Sequence, residues 1–384
     1  MRHGIAGGRR SFSWRRSQSF AAVLLTLSAL FGLLAFPVPA HADDEFAVGT
    51  LSYRVNESSP GTVTVTGVVL AEGYYLQRVP PTVTFGGQTY DVTDIGPFAF
   101  MQPLWQIELG DATNLKTIGD SAFVSQPISS VTIPDGVTTI GDYAFSRTHL
   151  DEIVLPDSVT SLGVHAFSYS QLKSAVLSNG LTEVPDSAFL GNKLTSVQIP
   201  EGVTSVGDYA FQFNQLTSVA LPDTLSEIGF AAFAENRLPS IEFPGGLSTI
   251  GESAFNDNEL TTVTFPRSLS RLESAFNFNR LLTSFVFLGP VPLGSQGTLE
   301  VTGIGRKGKI SHLEEFGPSA DWVASVGGYL DPEHVEQLPE IDEPAAGTHS
   351  AGAMTPTQAL QTEFSPCWGE GDDQWFWGAS RCDG

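Results

Sequence analysis

A 22-residue tandem repeat is the feature of this sequence that most restricts its possible folds. Alanine-phenylalanine pairs recur nine times, and successive phenylalanines lie 23 residues apart once, 22 apart six times and 21 apart once. Because a single unit of this length cannot bury its own apolar side, the repetition predicts a solenoid of stacked coils. The phenylalanines are Phe100, Phe123, Phe145, Phe167, Phe189, Phe211, Phe233, Phe255 and Phe276.

Two further apolar columns keep the same spacing and complete the consensus L-x-x-V/I-x-I/L-P-x-x-V/L-x-x-I/L-G-x-x-A-F. The first column opens each unit and contains Ile128, Leu150, Leu172, Leu194, Leu216, Leu238, Leu260 and Leu282. The second follows the usual proline by three residues and contains Val137, Val159, Leu181, Val203, Leu225, Leu247 and Leu269. All three columns are therefore expected to face the interior of the stack.

The local pattern of each unit predicts a short strand followed by a turn. In L-x-x-V-x-I the last two apolar residues are two apart, so on a strand they point to the same side. The proline that usually follows cannot donate to a sheet ladder and ends the strand. The spacing in the second half favours a short helical or irregular turn instead. We therefore expect nine coils with a parallel sheet on one face, roughly 40 Å long.

Units such as residues 194–211, LTSVQIPEGVTSVGDYAF, resemble the BspA-type (Treponema-type) leucine-rich repeats of bacterial surface proteins. The resemblance covers about residues 90–288 and holds almost position for position. It implies a β-rich leucine-rich-repeat solenoid that is secreted or displayed at a cell surface. It also implies a role in adhesion or protein binding, with no catalysis.

The chain departs from this family at the loop that follows each phenylalanine. Members often carry a cysteine there, whereas this sequence has Asn192, Asn214, Asn236 and Asn258. The asparagines predict either a ladder that bonds turn to turn or a polar loop without a specific role. Aspartates such as Asp142 recur before the Ala-Phe pair and predict a turn or capping role.

The N-terminus has the order of an export signal. Five arginines precede an uncharged stretch, residues 20–36, and Ala40-His41-Ala42 provides a small-x-small cleavage site, so residues 1–42 are predicted to be a signal peptide. Its arginine pair leaves Sec and twin-arginine export both open, and an uncleaved anchor is the alternative to cleavage. Removal takes five of 19 basic residues and none of 42 acidic ones, so the net charge changes from −23 to −28. Such a charge argues against nucleic acid and against anionic membranes as partners.

Segments on both sides of the repeats are interpreted as caps. Residues 43–92 alternate in polarity and contain Gly86-Gly87, which together predict a small β cap with a hairpin. The repeats occupy residues 93–288. Residues 289–330, which include Leu299, Val301, Ile304 and Trp322, are a candidate second cap. Caps are expected because an end coil would otherwise expose apolar surface and unpaired strand edges.

The C-terminal region changes in composition twice. Residues 331–362 are acidic, contain proline and predict an extended linker. Residues 363–384 contain both cysteines of the chain, Cys367 and Cys382, which are expected to pair in an exported protein. The same loop carries a candidate binding patch for a sugar or a protein, with a self-packed terminal staple as the alternative. The patch residues are Trp368, Trp375, Phe376 and Trp377.

No catalytic motif, metal-ligand spacing or cofactor-binding loop is present, so no catalytic residue, metal or cofactor is assigned. His149 and His165 occupy different positions of their units and are interpreted as surface residues. The outward positions of the predicted strands carry mostly small, uncharged side chains. One column is Gln106, Ser130, Glu152, Ser174, Ser196, Ser218, Ser240, Thr262 and Ser284, and the other is Glu108, Thr132, Val154, Val176, Gln198, Ala220, Glu242, Thr264 and Val286.

The sequence therefore predicts a secreted or surface-associated, non-catalytic binding scaffold. Its expected partner is a protein or polysaccharide at a cell surface, and after signal cleavage no membrane contact is expected. Two alternatives stay open: a structural spacer whose only contact is the C-terminal loop, and an extracellular hydrolase. The sequence does not indicate an oligomeric state.

Overall fold

A computed structural model describes residues 45–69, 76–290, 292, 309–313 and 335–338. Within these ranges the chain forms 23 β-strands and contains no α-helix. None of these residues forms a helix long and apolar enough to span a bilayer. The predicted signal peptide, residues 1–42, and the C-terminal loop, residues 363–384, lie outside the described residues.

The first strands build a mixed sheet at the N-terminal end of the solenoid. They are β1 (Glu45–Val48), β2 (Leu51–Val55), β3 (Thr62–Val68), β4 (Leu76–Arg78), β5 (Thr82–Phe85) and β6 (Gln88–Ile95). Strands β1, β2 and β3 pair antiparallel, and β3 pairs parallel with β6. The predicted hairpin is confirmed: β5 and β6 pair antiparallel through Gly86 and Gly87, whose φ angles are 62° and 85°. Two-residue hairpin turns need positive φ, which glycine adopts without strain.

One column of strands follows the L-x-x-V-x-I half of the repeat, as predicted. It contains β7 (Gln106–Glu108), β10 (Glu152–Val154), β12 (Ser174–Val176), β14 (Ser196–Gln198), β16 (Ser218–Ala220), β19 (Thr262–Phe265) and β21 (Ser284–Phe287). Three pairs of neighbours are hydrogen-bonded in parallel with a register of 22 residues: β10 with β12, β14 with β16 and β19 with β21. Within the described residues the column is thus divided into short sheets and is not the single sheet of roughly 40 Å that the repeat predicts. One break lies in the coil of Pro239, which has no N–H to donate where the N–H of Thr217, in the preceding coil, donates to Thr195 O.

The second half of the repeat differs from the prediction of a helical or irregular turn. It forms a second column of two-residue parallel strands: β8 (Thr117–Ile118), β9 (Thr139–Ile140), β11 (Ser161–Leu162), β13 (Glu183–Val184), β15 (Ser205–Val206), β17 (Glu227–Ile228), β18 (Thr249–Ile250) and β20 (Arg271–Leu272). Strand β6 pairs with β8, so the N-terminal sheet runs directly into this column. The V-x-x-I spacing describes one coil alone, whereas stacking brings the main chains of identical coils within bonding distance. Ladder formation between coils therefore decides the local structure.

The nine repeated phenylalanines form a continuous buried column, which we call the phenylalanine spine. Each ring is at most 1% exposed. Ring centroids of neighbouring coils are 4.8 to 5.6 Å apart, and the ring planes lie within 14° of parallel. The alanine that precedes each ring is also buried. Its small size is required, because a larger side chain would have no space in so closely packed an interior. The spine predicted from the repeat is confirmed.

The asparagine ladder is confirmed as well. The Nδ2 group of Asn214 donates to the carbonyl oxygens of Phe189 and Phe211, both at 3.0 Å, and its Oδ1 accepts from the N–H of Leu194 at 3.1 Å. One side chain thus bonds main-chain groups of two successive coils. Such bonds are needed because buried main-chain N–H and C=O groups must have hydrogen-bond partners. Asn279 makes the equivalent bonds to Phe255 and Phe276, although the last repeat is one residue shorter.

The aspartates before the Ala-Phe pair have the predicted turn role, and they exert it across coils. Asp142 Oδ1 accepts from the N–H of Val164 at 2.8 Å, and Asp208 Oδ1 accepts from the N–H of Phe230 at 2.7 Å. Each carboxylate therefore bonds the main chain of the following coil. Their recurrence has a structural reason, so they are not evidence for acid/base chemistry.

Parallel pairing continues beyond the last repeat. Strand β22 (Lys309–Leu313) pairs with β21, and β23 (Val335–Leu338) pairs with β22. The segment interpreted as an extended linker, residues 331–362, thus contains a strand over four of its residues. The segment is predicted to be extended because it is acidic and contains proline. Main-chain hydrogen bonds to an open strand edge do not require particular side chains, so part of such a segment can still pair as a strand. Leu299, Val301, Ile304 and Trp322 of the candidate second cap lie outside the described residues.

Candidate binding surface

The first candidate surface is the outer face of the first strand column. The predicted outward residues are exposed along it, apart from the half-buried Ser284 and Val286. Val154 and Val176 are the most exposed apolar residues there, at 60% and 52%. No aromatic side chain stands in these two outward columns. Since aromatic residues and arginine dominate binding energies, this face offers few anchors.

A shallow depression lies at the N-terminal end of this face. Arg78 in β4 spans it, with Nε 2.6 Å from a carboxylate oxygen of Glu108 and one terminal nitrogen 3.7 Å from Asp111. The hydrogen bond to Glu108 and the charges of both carboxylates raise the pKa of Arg78. All three side chains are well exposed, so the pairs add little stability. The positive charge of Arg78 in this depression is thus already paired with the carboxylates of Glu108 and Asp111.

The second candidate surface is a row of exposed aromatic residues in the turns, which we call the turn edge. Each stands two residues before or two residues after a spine phenylalanine, outside the inward-facing columns. The residues are Phe98, Tyr143, Tyr169, Tyr209, Phe213 and Phe278. Sequence analysis did not identify them. The sequence does contain the indication, because these are large apolar residues at positions where most other units have small or polar ones.

The main chain at the turn edge has an unusual conformation. All six aromatic residues have φ between 55° and 65°, a region that bulky L-residues seldom adopt. The conformation is imposed by bonds between coils: Tyr169 N–H donates to Leu190 O at 2.7 Å, and Tyr209 N–H donates to Phe230 O at 2.7 Å. Glycine or asparagine would satisfy the same geometry with less strain. The same positive φ occurs at these two positions in most other coils, at residues such as Ser125 and Glu235, so it is a property of the repeat.

Two of these rings pack against a neighbour in the next coil. Tyr143 stacks on His165 with ring centroids 4.7 Å apart and planes 15° from parallel. Burial lowers the pKa of His165, and the charges of Asp186 and Asp142 oppose that shift. His165 is thus half-buried, whereas His149 is exposed as predicted. Tyr209 meets Phe230 edge to face at 5.1 Å.

Tyr169 lies flat against the main chain of the following coil. The residue beneath it is Gly191, and a side-chain carbon built there would stand 2.4 Å from Tyr169 Cδ1 and Cε1. Only glycine permits the ring to occupy this place. The ring remains 47% exposed, so one of its faces covers Gly191 and the other is open.

Polar side chains continue the turn edge beside Phe213. A shallow depression there is lined by Phe213, Gln215, Glu235, Arg237 and Asp257. Burial and the nearby charge of Asp257 raise the pKa of Glu235, and Gln212 donates a hydrogen bond to its carboxylate at 3.3 Å.

In the preceding coils, Lys193 Nζ donates to Gln171 Oε1 at 3.3 Å. The turn edge thus presents open rings together with amides and charges of both signs.

The described residues contain no group of histidine, cysteine, aspartate and glutamate side chains that could hold a metal ion. The C-terminal residues predicted to bind, Trp368, Trp375, Phe376 and Trp377, lie outside the described residues, as do Cys367 and Cys382. Their arrangement stays a prediction.

Comparison with known proteins identifies the repeat. The model of the family described as BspA type leucine rich repeat region matches six copies, in residues 93–216 and 204–293. No match was found among curated proteins.

Solved structures of proteins from several bacteria are similar to this chain. A leucine-rich repeat protein from Bacteroides ovatus is 23% identical over 63% of this chain and 70% of its own, with a TM-score of 0.51. A leucine rich cell surface protein from Faecalibacterium prausnitzii is 21% identical over 74% and 98%, with a TM-score of 0.36. The pneumococcal vaccine antigen PcpA is 17% identical over 79% and 100%, with a TM-score of 0.37. At these identities, the B. ovatus protein supports the fold alone.

Proposed function

Because this chain belongs to the BspA type leucine rich repeat family, which matches residues 93–293, we propose that it is a secreted or surface-associated binding scaffold without catalytic activity. Its partner is a protein or a glycan at a cell surface. The observation that carries this proposal is the turn edge, where a rigid stack holds aromatic rings open to solvent. Exposed groups of large apolar side chains are typical of interaction sites.

Export is supported by the sequence of residues 1–42, with its arginines, uncharged stretch and small-residue cleavage site. Charge supports the class of partner, because a chain of net charge −23 repels phosphate backbones and anionic lipids. The C-terminal loop is proposed as a second contact. Trp368, Trp375, Phe376 and Trp377 supply its aromatic surface, and a Cys367–Cys382 disulfide orders it.

The test is a capture experiment with residues 43–384 immobilised on beads. Detergent-free extracts of bacterial cell walls and of animal extracellular matrix are passed over the beads, and bound protein and carbohydrate are both quantified. A second bait lacks residues 363–384. We expect saturable capture by the longer bait and reduced capture by the shorter one.

Three outcomes would contradict the proposal. The absence of saturable capture from every extract would rule out a binding scaffold for these sources. If deletion of residues 363–384 abolished all capture, the repeats would be a spacer. Turnover of generic ester, peptide or glycoside substrates that a point substitution removes would show a hydrolase instead.

A further inference from the structure

We propose that the turn edge around Tyr169 and Phe213 binds a neutral polysaccharide, with the two rings as stacking platforms for its sugar faces. This inference rests on the proposed function, a binding scaffold, and it names the class of ligand for one site on that scaffold. Four properties of this stretch support it: ring orientation, ring spacing, hydrogen-bonding groups and charge.

The orientation of Tyr169 suits a flat ligand. The ring lies over Gly191, so its inner face is covered and its outer face is presented to solvent as a flat surface. The C–H bonds on one side of a pyranose ring form a weakly apolar face that packs on such a surface. An enclosed apolar pocket would suit an aliphatic side chain better, and the described surface beside Phe213 is instead a shallow depression.

The spacing of the rings suits an extended chain of sugars. Tyr169 and Phe213 occupy the same position of their repeats, 44 residues apart, with the repeat of Gly191 between them. Their main chains are therefore separated by two coil spacings, about 10 Å. One coil spacing is close to the length of one sugar unit in an extended polysaccharide. Two rings separated by one coil thus meet every second sugar of the chain.

Hydrogen-bonding groups flank the rings at the same interval. Two residues after each turn-edge position the successive coils carry Gln171, Lys193, Gln215 and Arg237. Amides donate and accept, the two cations donate, and the carboxylates of the neighbouring Glu235 and Asp257 accept. Sugar hydroxyl groups need both kinds of partner at each position.

Charge argues for a neutral ligand. The local charges cancel, because Lys193 and Arg237 are balanced by Glu235 and Asp257. This stretch therefore has no excess charge to bind a polycation or a polyanion, and the net charge of −23 further repels a polyanion. Within the described residues neither Lys193 nor Arg237 has a carboxylate within salt-bridge distance. Lys193 gives one hydrogen bond to Gln171 and has two further N–H donors for sugar hydroxyl groups. Hydrogen bonds from charged donors to hydroxyl groups are stronger than those between neutral groups.

A protein partner fits this stretch less well. Protein interfaces centre on a contiguous, desolvated cluster of anchors. Here Tyr169 and Phe213 are separated by a coil that carries Gly191, and each ring is nearly half exposed, at 47% and 46%. Isolated platforms on a polar surface do not form such a centre.

The test measures binding of residues 43–384 to soluble polysaccharides by affinity electrophoresis and calorimetry. The neutral probes are hydroxyethyl cellulose, laminarin, xylan and mannan, and the charged probes are polygalacturonate and chitosan. We expect at least one neutral probe to bind. The double substitution Tyr169→Ala and Phe213→Ala should weaken that binding by about tenfold or more, since two aromatic anchors are lost.

Three further variants separate ligand contact from folding. Leu281→Ala removes an exposed apolar side chain near the end of the last repeat, outside the turn edge, and should leave the affinity unchanged. Tyr169→Phe keeps the platform and should bind normally. Gly191→Asn keeps Tyr169 but displaces its ring, so it should weaken binding while the unfolding temperature stays close to that of the wild type.

The inference is overturned if only charged probes bind, if the double variant binds as tightly as the wild type, or if Leu281→Ala weakens binding as much as the double variant does. If no polysaccharide binds but the capture experiment retains a protein, the polysaccharide inference fails and the binding scaffold stands. If neither experiment finds a ligand, both proposals fail.

Discussion

Replacing Phe189 by alanine tests the packing that holds the solenoid together. Phe189 stands in the middle of the phenylalanine spine and is fully buried. Its ring centroid lies 5.6 Å from that of Phe167 and 5.4 Å from that of Phe211, with planes 8° and 2° from parallel. The substitution therefore removes two stacking contacts and leaves a ring-sized cavity between coils that are held in place by main-chain ladders.

The expected loss of stability is about 3 to 5 kcal/mol. Two ring contacts account for about 1 to 3 kcal/mol of it, and the lost burial of the side chain accounts for the remainder. In a repeat protein, the loss also weakens the interfaces with both neighbouring coils. The corresponding decrease in unfolding temperature is roughly 4 to 10 °C for a chain of this size.

The assay is thermal and urea unfolding followed by circular dichroism, with Phe213→Ala as the matched control. Phe213 lies two residues after the spine residue Phe211 and is 46% exposed, so the same substitution there should change stability by less than about 1 kcal/mol. If Phe189→Ala unfolds at the temperature of the wild type, or if both variants lose equal stability, the spine does not stabilise the fold as described.

Three other substitutions probe the coil contacts. Asn214→Ala leaves the buried N–H of Leu194 without its partner, while the carbonyl groups of Phe189 and Phe211 keep their bonds from Asn192 and Asn236, so urea unfolding should show a loss of about 1 to 3 kcal/mol; a loss below 0.5 kcal/mol would contradict the ladder. Gly163→Ala places a carbon 2.3 Å from the main chain of Gly141, and we expect a lower unfolding temperature than for Gly110→Ala, which meets no atom within 4 Å. Since burial lowers the pKa of His165, the folded state binds its proton less readily than the unfolded state. Stability should therefore decrease as the pH falls below the ordinary value of 6.5, and His165→Gln should remove that part of the slope in unfolding curves between pH 7.5 and 5; identical slopes for both proteins would show that His165 is not involved.

The candidate sites differ in how far the sequence predicted them. The outward strand columns could be read from alternation, and their exposure is confirmed. The turn edge could not be read in the same way, because the side-chain direction of Tyr169 or Phe213 follows from a positive φ. That φ is set by a hydrogen bond to the next coil, so the pattern of apolar and polar residues within one repeat does not reveal it.

The sequence by itself left the role of Asn214 open between a ladder and a polar loop, and the structure shows the ladder. The sequence determined the solenoid, its nine coils, the position of the first strand column, the phenylalanine spine and the structural role of Asp142. Each follows from which side chains must be buried, and burial repeats every 22 residues along the chain. The tertiary structure decided the second strand column, the platform of Tyr169 on Gly191 and the continuation of pairing into β22 and β23. These depend on bonds and contacts between neighbouring coils. Such contacts exist only once the coils are stacked, so the pattern within one repeat cannot specify them.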